Sequence, residues 1–214
     1  MRPIHAGAAL LTGLVLPLGA ALAQAPPGPD NLVLTCTGPF AADTTPAKIA
    51  AVFGRSNVAA ENLSIGEGQT EPGTVIYPKD PARRIEIFWL DAKKKTGLST
   101  VQVREETSRW RMPGGIGHGT TLAALETANG KPFELLGFNW DFGGTVRDWR
   151  GGALASIGGD PKCRMSATFE PAPNLPDKIG NAVMGDKAFR SDNRSMRAAK
   201  PTLTWIGLNL VQPD

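Results

Sequence analysis

The helices that this sequence predicts are too short to fold alone. Thr45 is a preferred N-cap residue, Pro46 suits the first helical position, and Gly54 predicts a left-handed C-terminal cap. Thr121 and the pair Asn129–Gly130 bound a second helix of similar length. Isolated helices of about two turns are unstable in water, so both helices must pack on a sheet.

Alternation of apolar and polar residues predicts that sheet. Residues 84–90 and 98–104 alternate and flank a lysine-rich turn, which is typical of a β-hairpin. A short helix capped by Ser191 is predicted before Pro201. The other predicted strands are 31–36, 74–77, 133–142, 145–149, 153–157, 164–169 and 202–211. The pattern favours an α+β fold with antiparallel strands.

The two halves of the chain resemble each other. Residues 44–47 (TTPA) recur as 120–123 (TTLA), and residues 73–75 (GTV) recur as 144–146. These matches predict two helix-plus-antiparallel-meander repeats, followed by a C-terminal helix and strand. The alternative is chance, since capping and turn residues are common.

The N-terminus predicts export. Arg2 precedes an apolar stretch, and Ala21-Leu22-Ala23 is a cleavage signal, which together indicate a bacterial Sec signal peptide. No later segment is apolar enough to span a membrane. The predicted location is the periplasm or the exterior. The predicted divisions are a signal peptide at 1–23, a disordered proline-rich arm at 24–30, and repeats at 31–112 and 113–214.

Export permits disulfide formation, and Cys36 and Cys163 are the two cysteines of the chain. The simplest interpretation is one disulfide between them. The alternative is two separately buried thiols.

Composition argues against several functions. The 23 basic and 20 acidic side chains give a net charge of +3, which disfavours a nucleic-acid binder. Two histidines and two cysteines leave little for a transition-metal site. The glycine-rich segment 114–119 lacks the Walker A pattern and is interpreted as a connector. His118, the one histidine after signal removal, has no visible nucleophile partner. We therefore expect no cofactor, no metal and no catalytic set.

Two family resemblances accompany these patterns. The segment 129–144 (NGKPFELLGFNWDFGG) is similar to a signature of uncharacterised secreted bacterial proteins, and that resemblance implies no activity. Residues 117–132 resemble, at the level of the fold, the β-lactamase-inhibitor proteins and the small lipoprotein of the outer-membrane assembly machine. The second resemblance implies short helices that pack on an antiparallel sheet.

An aromatic stripe within 133–142 places Phe138, Trp140 and Phe142 on one predicted face. If helices cover this face of the sheet, the three aromatic side chains belong to the core, which is the favoured interpretation. The alternative is that they form an exposed surface for a protein partner. Outward residues near this stripe are the candidate binding residues, because aromatic and arginine side chains anchor interfaces. The candidates are Asn139, Asp141, Arg147, Trp149 and Arg150. For Trp149, the alternative is a structural residue on which a neighbouring arginine stacks.

The sequence thus favours a non-catalytic binding module for an envelope or extracellular protein. The rival hypothesis is a carbohydrate-active or cell-wall hydrolase that uses paired carboxylates. Asp141 is its leading candidate, although an aspartate before Gly143-Gly144 also suits bonding to the turn amides. The other carboxylate candidates are Glu86, Glu105, Glu106 and Glu126.

Overall fold

The computed structural model describes residues 32–210. The predicted signal peptide and proline-rich arm lie outside these residues. The helices are α1 (Pro46–Phe53), α2 (Leu122–Asn129), α3 (Asp177–Ala182) and α4 (Arg194–Ala198). The strands are β1 (Val58–Gly66), β2 (Gln69–Ile76), β3 (Ile85–Asp91), β4 (Thr96–Val103), β5 (Glu134–Leu136), β6 (Val146–Asp148), β7 (Cys163–Glu170), β8 (Ala188–Arg190) and β9 (Thr202–Leu210).

These strands form two sheets in which every pairing is antiparallel. The larger sheet has the order β1-β2-β3-β4-β9-β7, and the smaller sheet has the order β6-β5-β8. The predicted α+β class is confirmed. The last strand, β9, lies between β4 and β7, so strands from both predicted repeats share one sheet.

The two principal helices begin where their caps predict. The hydroxyl oxygens of Thr45 and Thr121 accept hydrogen bonds from main-chain amides of the first turn, each at 3.2 Å. Gly130 adopts the predicted left-handed conformation after α2. Gly54 ends α1 with φ 84° and ψ 137°, so its φ is positive but the predicted left-handed helical cap is absent.

One face of the larger sheet meets the helices in the main hydrophobic core. The predicted hairpin is confirmed as β3 and β4, and Ile85, Ile87 and Trp89 are buried in that core. The helices contribute apolar residues to the same cluster, namely Ile49, Phe53, Leu122, Leu125, Ile179 and Met196. Their burial on the sheet stabilises helices that could not persist alone.

The opposite face of the larger sheet carries little apolar packing. A separate small cluster of Leu63, Val75 and Phe88 lies there, from three neighbouring strands. The apolar residues that the four helices bury belong to the main core instead. We call this second surface the open face.

Three predicted strands are corrected by the structure. Of the predicted strand 31–36, the described residues 32–36 contribute only an isolated bridge between Val33 and Arg111. Regular pairing of the predicted strand 133–142 stops at Leu136, and Asn139 has a φ of 60° that a strand does not allow. Residues 153–155 form a 3₁₀ turn rather than a strand. The second meander is therefore missing, and a twofold repeat is not clearly evident.

The C-terminal part also differs from the prediction in its details. Asn193, not Ser191, caps the last helix, α4, through its side-chain oxygen. The Ser191 hydroxyl instead accepts the amide of Phe133 and donates to the carboxylate of Glu126. Helix α3 was not predicted, because a proline-rich loop was expected at 172–178.

The predicted disulfide is confirmed. Cys36 and Cys163 are bonded, with their Cα atoms 5.8 Å apart and 127 residues apart in sequence. The bond ties the N-terminal segment to β7. Separately, no helix within residues 32–210 combines the length and apolar character needed to cross a membrane.

Candidate binding groove

Two adjoining hollows lie on the open face of the larger sheet. Their volumes are about 660 and 740 Å³, within the range of about 300–1,000 Å³ typical of ligand sites. Thr145 and Trp205 line both hollows, so the two form one continuous groove. No residue of the four α-helices lines it. The groove is built from strands and from the segments that connect β5 to β6 and β6 to β7.

The first hollow is lined mainly by acidic charge, and we call it the acidic hollow. Glu71 lies on β2, Asp141 on the loop between β5 and β6, and Glu170 at the end of β7. None of the three carboxylates makes a hydrogen bond or an ion pair with a residue in the described range 32–210. Phe142, with 57% of its surface exposed, adds an aromatic wall.

One arginine also reaches the acidic hollow. The Nε atom of Arg104 lies 3.7 Å from a carboxylate oxygen of Glu86, and its guanidinium lies 5.6 Å from the ring centroid of Trp205. Gln102 donates a 2.9 Å hydrogen bond to the same carboxylate. These contacts hold Arg104 over one side of the Trp205 ring.

An ion-pair network anchors Glu86 from the other side. Arg84 donates hydrogen bonds of 2.9 Å to Glu61 and 3.1 Å to Glu86. Burial lowers the pKa of Arg84, but the hydrogen bonds to Glu61 and Glu86 outweigh this effect, and the pKa is raised above its ordinary value. Glu105 lies 3.7 Å from the Arg84 guanidinium. These groups line neither hollow, but they hold Glu86, the carboxylate that Arg104 faces.

The second hollow is lined mainly by basic charge, and we call it the basic hollow. Arg147 on β6 and Arg164 on β7 line it together with Asp148. Arg147 makes no ion pair or side-chain hydrogen bond with residues 32–210, and Arg164 makes only a 3.4 Å contact with the Pro161 carbonyl. The Asp148 carboxylate accepts the main-chain amide of Arg150 at 2.7 Å.

Two buried polar atoms lie beneath the surface of the groove. Ser166 lines the basic hollow and is 8% exposed, and its hydroxyl oxygen has no hydrogen-bond partner among residues 32–210. The buried indole Nε1 of Trp205 likewise lacks a partner within this range. Ser166 pairs with Gly207 and Trp205 pairs with Thr168, so the two are diagonal neighbours on adjacent strands. An unsatisfied buried polar group costs about 1–3 kcal/mol.

The structure brings two of the five predicted binding residues to the groove as exposed side chains. Asp141 lines the acidic hollow and Arg147 lines the basic hollow. Asn139 and Arg150 are exposed but do not line either hollow. Arg150 instead donates a 3.0 Å hydrogen bond to Glu134.

Trp149 is a core residue, although the sequence analysis placed it among the exposed binding residues. Only 7% of its surface is exposed, where it borders the basic hollow. Its indole donates a 2.9 Å hydrogen bond to the carbonyl of Met165, and its ring centroid lies 5.2 Å from that of Phe133. The structure therefore gives Trp149 a packing role.

The aromatic stripe is divided between core and surface. Phe138 is buried as expected, whereas Trp140 is 59% exposed and Phe142 is 57% exposed. The core interpretation is wrong for the latter two, because the strand ends at Leu136 and a turn follows. The turn projects Phe142 to the rim of the groove.

The other candidate catalytic residues lie outside the groove or in structural contacts. Glu126 is held by Ser191 and by a 2.7 Å ion pair with Arg197. His118 is half-buried in a turn before α2. In the described part of the chain, His, Cys, Asp and Glu side chains form no group of three or more that could hold a metal ion.

Several groove residues were missed by the sequence analysis. They are Glu71, Arg104, Arg164, Ser166, Glu170 and Trp205. The sequence carried one signal for Trp205, which is a break in the apolar alternation of β9. Residues on one face of a regular strand are an even number of positions apart, but Leu203 and Ile206 are three positions apart and both are buried. A register shift explains it, because β9 has one extra residue opposite Thr168 and Phe169.

Comparisons with protein-family models, with curated proteins and with solved structures found no match to this chain.

Proposed function

We propose that this chain is a non-catalytic binding module of the bacterial periplasm or exterior. Its partner is an envelope or extracellular protein that occupies the groove. The observation that carries the proposal is a continuous groove in which the three carboxylates of the acidic hollow and Arg147 of the basic hollow have no ion-pair or side-chain hydrogen-bond partner among residues 32–210. Charged side chains that line a concave surface without partners attract a ligand of opposite charge.

The proposed location rests on two features. The Cys36–Cys163 disulfide is stable in an oxidising compartment. The sequence of residues 1–23 predicts the signal peptide that would deliver the chain there. Cleavage after Ala23 would be checked by mass spectrometry of the protein recovered from the periplasm.

Site-specific photo-crosslinking tests the binding function. A photoreactive benzoylphenylalanine is introduced in place of Asp141, of Arg147, or of Ala47, and the protein is irradiated in its native envelope. Ala47 is exposed on α1 and does not line the groove, so it serves as the control. We expect the same partner from positions 141 and 147, none from position 47, and competition by unlabelled protein. Equal crosslinking at all three positions, or none in the groove, would refute the proposal.

A second function is favoured by one observation. Glu71, Asp141 and Glu170 line one hollow beside the exposed ring of Phe142, an arrangement that also suits a glycan and carboxylate-based hydrolysis. Incubation with purified peptidoglycan and measurement of new reducing ends tests it. Release of reducing ends by the wild type that is abolished in Asp141→Asn would establish a hydrolase. The absence of product from the wild type supports the binding function.

A further inference from the structure

We infer that the groove binds an extended protein segment with a cationic side chain in the acidic hollow and a carboxylate in the basic hollow. This inference rests on the proposed binding function and specifies the chemistry of the partner. It follows from the charges of the two hollows, the geometry of β7, and the position of Trp205 between them.

The charges of the two hollows are complementary to such a segment. The acidic hollow has three carboxylates and one guanidinium, which is Arg104, already engaged with Glu86. The basic hollow has Arg147 and Arg164 against Asp148. Unpaired charges in a concave surface attract opposite charges, and at physiological salt their field extends about 8 Å. The acidic hollow therefore selects the cationic end of the ligand, and the basic hollow selects the carboxylate end.

An aromatic ring strengthens the preference for a cation in the acidic hollow. Phe142 presents a largely exposed ring at the rim, where a lysine or arginine side chain can pack over its face. Arg104 already packs on Trp205 at 5.6 Å, which shows the same geometry within the chain. The basic hollow has no comparably exposed phenyl ring among its lining residues.

Strand β7 sets the spacing of the two charges. Arg164, Ser166, Thr168 and Glu170 alternate along it and all line the groove. Arg164 and Glu170 are six residues apart on this strand, which corresponds to roughly 20 Å at about 3.3 Å per residue. An extended ligand of the same spacing has its cation and its carboxylate about six residues apart.

Trp205 lies between the two ends, because it lines both hollows. Its half-buried ring offers an apolar surface on which the main chain of an extended segment can pack. Trp205 would therefore contact the segment independently of its sequence, and the hollows would confer the charge preference.

Binding of two matched peptides tests the inference. The first is a capped seven-residue peptide with lysine first, glutamate last and alternating glycine and serine between them. The second has glutamine at both ends. The readout is the indole N–H cross-peak of Trp205 in ¹⁵N-labelled full-length protein, assigned from a Trp205→Phe variant. We expect the charged peptide to bind about fivefold more tightly, because two partly exposed ion pairs contribute about 1 kcal/mol together. Raising the salt concentration should reduce this difference.

Charge-neutralising variants test whether the charged residues of the two hollows cause the preference for the charged peptide. Asp141→Asn with Glu170→Gln should abolish the advantage of the charged peptide, and so should Arg147→Gln with Arg164→Gln. Glu106→Gln removes one negative charge from an exposed site outside the groove and should leave the advantage unchanged. Loss of the advantage in this control would contradict the assignment.

The outcomes separate this inference from the proposed function. Equal binding of both peptides at the Trp205 cross-peak would refute the charge pattern while leaving the binding groove in place. Binding of neither peptide, with positive crosslinking at positions 141 and 147, would also refute the inference alone. Failure of both experiments would refute both proposals. Perturbation of the Trp205 cross-peak by an uncharged chitin hexasaccharide, without peptide binding, would assign the groove to glycans instead.

Discussion

Loss of the disulfide should remove a large part of the stability of this protein. Cys36 and Cys163 close a loop of 127 residues, for which the chain-entropy relation gives about 5 kcal/mol. Total unfolding free energies of domains are about 5–15 kcal/mol, so the effect is a third or more of the whole. The bond acts on the unfolded chain. In the native state, main-chain hydrogen bonds between Arg111 and residues 32 and 34 hold the N-terminal segment independently.

The measurement is urea-induced unfolding of the oxidised protein and of a Cys36→Ala, Cys163→Ala double variant. With an m-value of about 2 kcal/mol/M, the midpoint should fall by roughly 2 M or more. The m-value itself should rise, since an unfolded chain without the crosslink exposes more surface. Thermal unfolding should shift down by roughly 10–20 °C. Reductant should destabilise the wild type to a similar degree and leave the double variant unchanged.

A small effect would refute this reasoning. If the double variant unfolds within about 1 kcal/mol of the oxidised protein, the unfolded ensemble must already be compact around this loop. A loss well above 5 kcal/mol would instead indicate that the alanine substitutions damage native packing at the buried Cys163. Agreement between reduced wild type and the double variant separates these cases, because only the variant lacks the sulfur atoms.

Three further substitutions and one titration have defined outcomes. Gly144→Ala should cost more than about 3 kcal/mol by thermal unfolding, because the new Cβ would overlap the carbonyl oxygen of Phe169 in β7. Gly151→Ala, at a similar positive φ in open space, should cost only about 1 kcal/mol. Trp149→Phe should cost about 2 kcal/mol in urea unfolding, because it leaves a buried carbonyl unpaired. NMR titration should place the pKa of Asp192 below its ordinary value, because the side chain of Arg190 hydrogen-bonds the carboxylate. The stabilisation is complete above pH about 4 and is lost as the pH falls through the lowered pKa, whereas an unshifted pKa would contradict the pairing.

Local signals in the sequence predicted the local structure well. Thr45 and Thr121 cap helices as expected, and the alternation of residues 85–89 predicted the buried side of β3. Each of these sequence signals depends only on residues that are a few positions apart in the chain. The same reasoning failed for residues 133–142, where alternating aromatic residues suggested a long strand. There Asn139 adopts a φ of 60° and glycine turns follow, so turn geometry outweighs the apolar alternation.

Strand β1 was missed for a related reason. It is the edge strand of the larger sheet, and most of its side chains are exposed or half-buried. Its polar composition, which includes Glu61 and Asn62, gives no regular apolar alternation. Its conformation is set by pairing with β2 at residues 58–66, a tertiary contact that a local pattern does not encode.

The candidate groove was only partly predictable, because the order of the strands in the sheet brings together residues that are far apart in the sequence. Asp141 and Arg147 belong to one segment, and their charge and exposure could be anticipated. Glu170 and Trp205 lie on strands distant from that segment in sequence. Trp205 faces the groove only because of the register shift in β9, which reverses the side to which later residues point.

The position of β9 links the fold to the proposed function. Strand β9 lies between β4 and β7 and pairs with both, so it joins β7 to the rest of the larger sheet. It also supplies Trp205, which lines both hollows and on which Arg104 packs. A chain without an intact β9 would therefore lose both the central pairing of the sheet and the aromatic residue that the two hollows share.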